Sequence, residues 1–296
     1  MPVHPLTSLS STVLALRRAG CVFAEDEARL LHEAAASAGE LSSLVERRAA
    51  GLPLEHVLGW ADFHGRRFAV DTGVFVPRRR TEFLVARAAA LAPRRAVVVD
   101  LCCGSGALGV ALAAAADTAE LHACDVEPAA VRCARRNVGD LGHVYEGDLF
   151  APLPATLRGR VDVLLANVPY VPTDDVELLP AEARVHEPRV ALDGGGDGLD
   201  VMRRVAAEAP QWLAPGGSLL VEASERQRDT AVEVLHAAGL SPRVLVSEEL
   251  YATVLVGTIQ VAAVAAVAEA TVPAAEQPGN SPGPDPAAAP NPPAQD

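Results

Sequence analysis

Apolar positions along the chain fall into distinct regimes. Over residues 8–51 they recur at helical spacing, with Leu14, Leu16, Leu30, Leu31, Leu41 and Leu44 set among Ala, Arg and Glu; Gly20 and Gly39 divide the stretch into three short helices. Over 58–76 aromatic and β-branched residues take over (Trp60, Phe63, Phe68, Val70, Val74, Phe75, Val76), broken by Gly59, Gly65 and Gly73, which predicts a β-hairpin joining two units. After Pro77 a helix through Leu84, Val85 and Leu91 leads into short apolar runs at 97–99, 119–123, 161–166, 218–221, 243–246 and 253–258, with a further strand region before 147. Helical patterns separate the earlier runs, whereas the last two are joined by a short turn at 248–251. Such alternation predicts an α/β fold with a mainly parallel sheet, and the closing hairpin predicts one antiparallel strand near its edge. Beyond 261 the chain becomes Ala/Val-rich and then Pro/Ala-rich, a composition that cannot bury a core. The expected plan is a helical unit at 1–57, a hairpin linker at 58–76, an α/β domain at 77–260 and a disordered tail at 261–296.

Composition narrows the function classes. A chain of 296 residues can bury a sizeable core without staples. Its five cysteines (Cys21, Cys102, Cys103, Cys124, Cys133) are odd in number and form no C-x-x-C pair, which argues against a disulfide framework and a zinc site. Neither a signal-peptide pattern nor an apolar run of about 18 residues occurs, so the reading is a reduced, cytoplasmic protein with no membrane partner. The positive charges are all arginine, and the net charge of -13 opposes binding to a phosphate backbone, so direct nucleic-acid binding is not expected.

The stretch V-V-V-D-L-C-C-G-S-G-A-L-G at 97–109 reads as strand, glycine loop and helix. Gly104 and Gly106 let the backbone turn tightly under a ligand, and the amides of the following helix face it. With Gly109 they spell G-x-G-x-x-G, which in dinucleotide enzymes seats a pyrophosphate. Asp100 at the strand end is a poor neighbour for a pyrophosphate and suits a cofactor with a free ammonium, such as S-adenosylmethionine. A turn whose glycines serve packing alone is the third reading. Asp125, ending the next strand, is placed for ribose hydroxyls or as a helix N-cap. Asp148 in G-D-L-F is placed for an adenine amino group. Asn167-Val168-Pro169-Tyr170 ends the fourth strand, where ligands of such sheets bind. An asparagine oxygen and the following carbonyl can accept both hydrogens of a planar NH₂ group, with Pro169 stiffening the turn and Tyr170 offering a ring.

These segments, in order, resemble the HemK/PrmC family of protein glutamine-N5 methyltransferases. The resemblance runs from 51 to 258 through G-L-P-L-E-H-V-L-G (51–59), F-V-P-R (75–78) with Thr81-Glu82, D-L-C-C-G-S-G (100–106), G-D-L-F (147–150), N-V-P-Y (167–170), H-E-P (186–188) with Ala191-Leu192, D-G-L-D (197–200) and L-A-P-G-G (213–217). It implies a seven-stranded Rossmann-like class I methyltransferase sheet, a helical unit that presents a protein substrate, and S-adenosylmethionine as cofactor. Carried over by position, Asp100, Gly104 and Gly106 would cradle the methionine end, Asp125 the ribose, and Asp148 with Leu149 the adenine, with Cys102 also among the cofactor-binding residues. Asn167 would serve cofactor and substrate, and Asn167, Val168, Pro169 and Tyr170 would hold a glutamine amide, as in the Gly-Gly-Gln loop of a class I release factor. No metal is implied, and His186 and Glu187 read as an exposed loop pair. Three departures mark a divergent subgroup: Val168 for the first proline of N-P-P-Y, Arg79-Arg80 for Pro-Glu in P-R-P-E-T-E, and Cys102 for the first loop glycine. Methylation of a nucleic-acid amino group and a non-catalytic cofactor-binding module are the alternatives.

Overall fold

The computed structural model describes residues 8–260; the tail expected at 261–296 lies outside the described residues. Four helices open the fold: α1 (Leu9–Arg18), α2 (Ala24–Ala34), α3 (Ala38–Ala49) and α4 (Leu54–Leu58). Their apolar faces meet in a cluster of Leu16, Ala24, Ala28, Leu31, Leu41, Val45 and Val57. Gly39 does not separate helices as expected. The break falls one turn earlier, because Ser37 caps α3 by accepting the Glu40 amide at 3.2 Å, which leaves Gly39 inside the first turn. Helix α4, absent from the sequence reading, ends at Gly59 in the left-handed region (φ 80°).

The linker hairpin is shorter than expected. Strands β1 (Trp60–Phe63) and β2 (Arg66–Ala69) pair antiparallel around His64 and Gly65, both at positive φ (50° and 72°), the geometry of a tight type I′ turn. Residues 70–76 form no strand; Val70, Val74 and Val76 are buried there against Ala130 and Cys133.

The remainder reads α5 (Glu82–Leu91), β3 (Ala96–Leu101), α6 (Ala107–Ala115), β4 (Thr118–Asp125), α7 (Pro128–Val138), β5 (His143–Glu146), β6 (Val161–Ala166), α8 (Ala181–His186), α9 (Asp200–Trp212), β7 (Leu213–Ala223), α10 (Arg228–Ala237), β8 (Ser241–Ser247) and β9 (Ala252–Thr258). The sheet order is β5-β4-β3-β6-β7-β9-β8, with β9 antiparallel to both neighbours, as the closing hairpin predicts. This is the seven-stranded α/β sheet that the resemblance implies. Every residue of β3 is buried because helices cover both faces. Val97, Val99 and Leu101 pack on the side of α9 and α10, while Ala96 and Val98 pack on the side of α5 and α6. From β3 the chain runs outward to β5 and then returns to β6 on the other side of β3. The order reverses there, and a crevice opens at the carboxyl ends of the two strands.

One arginine of α3 ties that helix to both α2 and α8. Arg48, itself buried, holds Glu27 of α2 at 2.6 Å and Glu182 of α8 at 2.6 Å. Among the described residues no helix is long and apolar enough to cross a membrane.

Candidate active site

Strand register brings the chemistry to one edge. Leu101 of β3 lies level with Cys124 of β4 and Ala166 of β6, and Ala166 with Val221 of β7. The next residues, Cys102, Asp125, Asn167 and Glu222, therefore stand in a row at the carboxyl edge of the sheet. Beyond β3 the chain turns through three left-handed positions, Cys102 (φ 52°), Gly104 (54°) and Gly106 (77°). Asp125 holds this loop from the side: its Oδ2 accepts the Gly104 amide at 2.8 Å and its Oδ1 the Glu127 amide at 2.9 Å. The glycines divide their work. A Cβ at Gly104 would meet nothing closer than the Phe75 carbonyl at 4.0 Å, whereas one at Gly106 would press on Val138 and Ala134 at 3.2 and 3.3 Å. At Gly109 a Cβ would lie 2.9 Å from Leu121 and 3.0 Å from Asp100 Oδ2. Gly106 thus lets the loop pack against α7, Gly109 packs α6 against the sheet, and Gly104 leaves backbone open to a ligand.

Asp100 sits beneath the loop. It is buried, its Oδ2 accepts the Gly109 amide at 2.9 Å, and its Oδ1 is enclosed without a hydrogen-bond partner. Burial pushes its carboxyl up to about 7, with the Gly109 amide opposing and Asp125 adding to the rise.

Above the loop lies a cleft lined by Cys102, Gly104, Asp125, Asp148, Leu149, Asn167 and Pro169, together with Phe75, Glu127, Ala191 and Arg204. Asp100 and Gly106 do not line it. Asp148 accepts a hydrogen bond from Arg204 of α9 at 2.5 Å. On the other side of Asn167 is a second groove, lined by Val168, Tyr170, Arg78, Arg80 and Glu187, and by Pro53 and Glu55 next to the helical unit. Phe75, Asn167 and Ala191 belong to both hollows and form the wall between them. Asn167 Oδ1 is buried there with no partner. The Val168 side chain is buried in the core, so packing fixes this turn where a proline ring would otherwise stiffen it.

Glu187 corrects the expectation of an exposed loop pair. Its side chain is 0% exposed and accepts Arg78 Nη2 through both oxygens at 2.6 Å and the Val76 amide at 3.2 Å. Burial raises its carboxyl and Arg78 opposes the rise. His186 is half-buried.

Comparison with known proteins matches residues 66–199 to a methyltransferase small domain. The release factor glutamine methyltransferase of Geobacter sulfurreducens is 40% identical over 234 residues, covering 78% of this chain and 80% of that protein. That of Moorella thermoacetica is 39% identical over 221 residues, covering 72% and 76%. That of Mycolicibacterium smegmatis is 42% identical over 193 residues, covering 64% and 68%. The chain belongs to the release factor glutamine methyltransferase family.

The cofactor of this methyltransferase is S-adenosylmethionine, and the cleft fits it. Asp125, Glu127 and Asp148 outnumber the lone Arg204 in the lining, an excess of negative charge that repels a pyrophosphate and favours a cofactor bearing a sulfonium and an ammonium. The dinucleotide reading of the glycine motif falls on the same ground. Several residues that build the site were not singled out from sequence. Arg204 engages Asp148, Glu222 stands in the carboxyl-edge row, and Gln227 donates to the Tyr170 carbonyl at 2.8 Å. Asn137 ties the loop to the hairpin by donating to the Ser105 and Ala69 carbonyls, both at 2.8 Å. The only sequence signals near them were D-G-L-D before Arg204 and the strand before Glu222.

Proposed function

We propose that this methyltransferase transfers a methyl group to the side-chain nitrogen of a glutamine in a peptide release factor, within its Gly-Gly-Gln loop. The observation that carries the reading is Asn167: it stands in the wall shared by two hollows, with a buried acceptor oxygen that no protein donor satisfies. A buried acceptor without a donor is costly, and an amide NH₂ presented from the second groove would relieve it. Asn167 Oδ1 and the Val168 carbonyl would take the two N–H groups, leaving the nitrogen facing the cofactor cleft. When bound, S-adenosylmethionine supplies an electrophilic methyl group. An amide nitrogen is a weak nucleophile because its lone pair is delocalised, so the protein's contribution is orientation, worth at most roughly 7–11 kcal/mol. The two acceptors also favour the positive charge that grows on the nitrogen as its new bond to carbon forms and the methyl–sulfur bond breaks, and the proton is then released to solvent water, since neither acceptor is basic enough to keep it.

For the cofactor we assign Gly104 and Cys102 to the methionine end, Asp125 to the ribose, and Asp148 with Leu149 to the adenine. Asp100 and Gly106 shape the loop from below. A protein substrate agrees with the surroundings of the second groove. Pro53 and Glu55 supply a wall from the end of the helical unit, which we assign to substrate presentation. A partner that acts in translation puts the enzyme in the cytoplasm, and a net charge of -13 disfavours a nucleic-acid substrate.

Replacing Asn167 tests the assignment. Asn167→Ala is expected to lower methyl transfer to the release factor by roughly 10²–10³-fold, the range for removing one polar group that meets developing charge. Cofactor affinity, measured by calorimetry, is expected to change less than tenfold, because the other lining residues remain. Unchanged turnover would remove Asn167 from the mechanism.

A further inference from the structure

Arg80, which departs from the family motif, is one of a set of interlocked side chains. Glu222 ends up beside Asn167 in strand register and is almost wholly buried, so its carboxylate needs donors. It has three. Thr81 Oγ1 donates to Oε2 at 2.7 Å, while Arg80 Nε and the Tyr170 hydroxyl donate to Oε1 at 2.8 and 3.2 Å. Arg80 also donates through Nη2 to the Tyr170 hydroxyl. The phenol is thereby held between a cation and an anion, and the Tyr170 carbonyl is held by Gln227. This fixation matters because of where the ring stands. Tyr170 lines the groove on the substrate side of Asn167 and two further hollows, one towards the β8–β9 turn and one towards Leu178.

On the functional reading given above, we infer that Arg80 is a positioning residue for methyl transfer: by holding the Glu222 carboxylate and the Tyr170 hydroxyl in place, it fixes the wall along which the protein segment carrying the glutamine enters. Without Arg80 the buried Glu222 keeps only the Thr81 and Tyr170 hydroxyls as donors, and the phenol loses the guanidinium that holds its oxygen, which frees the ring to turn. The Arg80 side chain is 45% exposed, so its loss leaves no cavity in the core.

The test uses the full-length enzyme, the release factor as methyl acceptor, and the variants Arg80→Met, Arg80→Lys, Tyr170→Phe and the Met/Phe double variant. Arg80→Met is expected to lower kcat/KM for the release factor roughly 10–100-fold, mainly through KM, the size of one charge-assisted hydrogen bond of about 1.5–3 kcal/mol. Cofactor affinity is expected to stay within twofold, since Arg80 does not line the cofactor cleft. Arg80→Lys is expected to recover part of the loss, because an ammonium still neutralises Glu222 but lacks the fork that also reaches the phenol. The double variant is expected to be no worse than the poorer single one, because both changes break the same contact. Effects of Arg80 and Tyr170 that multiply, or an Arg80→Met enzyme within twofold of wild type, would overturn the inference. If Arg80→Met does not fold, Arg80→Lys, Tyr170→Phe and their combination form the same cycle with the same criterion. A wild-type enzyme that methylates no glutamine would instead overturn the functional reading and this inference with it.

Discussion

The buried carboxyl of Asp100 makes the stability of the cofactor-free protein depend on pH in an unusual direction. In the unfolded chain an aspartate ionises near 3.8; in the folded protein burial holds this one up to about 7. Folding therefore favours the neutral form. The stability this group contributes is fully present below 3.8 and is lost progressively as pH rises towards 7. At 1.36 kcal/mol per tenfold change, the loss above pH 7 amounts to about 4 kcal/mol. Asp100→Asn keeps the shape and an acceptor for the Gly109 amide but never ionises. The variant is expected to match wild type near pH 4 and to exceed it by up to about 4 kcal/mol at pH 8. For a domain of this size that is roughly 8–16 °C in Tm, at 2–4 °C per kcal/mol. Thermal melts of both proteins without cofactor, between pH 4 and 9, give the difference directly, and contributions common to both cancel. A Tm difference that is flat with pH, or one that favours wild type as pH rises, would refute the reasoning.

Two further substitutions test the loop from other sides. Asp125→Ala removes the carboxylate that accepts the Gly104 and Glu127 amides, and is expected to weaken cofactor binding roughly 10–100-fold, from about 1.5–3 kcal/mol per charge-assisted hydrogen bond; an unchanged dissociation constant by calorimetry would remove Asp125 from the cofactor site. Gly109→Ala separates packing from propensity: in an open helix it would stabilise by about 1 kcal/mol, but a Cβ 2.9 Å from Leu121 and 3.0 Å from Asp100 should destabilise by about 1–3 kcal/mol, read by urea denaturation.

What was legible from sequence was what local pattern encodes. The valine run 97–99 marked β3, the glycines marked its loop, and residues 161–166 marked β6 to its observed bounds. The motif residues Cys102, Gly104, Asp125, Asp148, Leu149 and Asn167 converge on one cleft because parallel strands deliver their carboxyl ends to one edge. Long-range partners were not legible. Arg78 meets Glu187 across 109 residues and Arg80 meets Glu222 across 142, and no periodicity announces either pair. Local cues also misled where a side chain competes with composition: Gly39 looked like a helix break until the Ser37 cap set the boundary. Asp100 read as a ligand group, and its partner within the fold, the α6 amide of Gly109, was not foreseen.

On the proposed function, the wall at Asn167 delivers a glutamine amide of a release factor to the cofactor cleft. The measurement that tests it most directly is transfer of labelled methyl from S-adenosylmethionine to purified release factor, with a lysate lacking this enzyme labelled in parallel and the modified residue mapped by mass spectrometry. The expected product is N5-methylglutamine in the Gly-Gly-Gln loop of the release factor. Label on nucleic acid alone, on a different protein alone, or nowhere would contradict it.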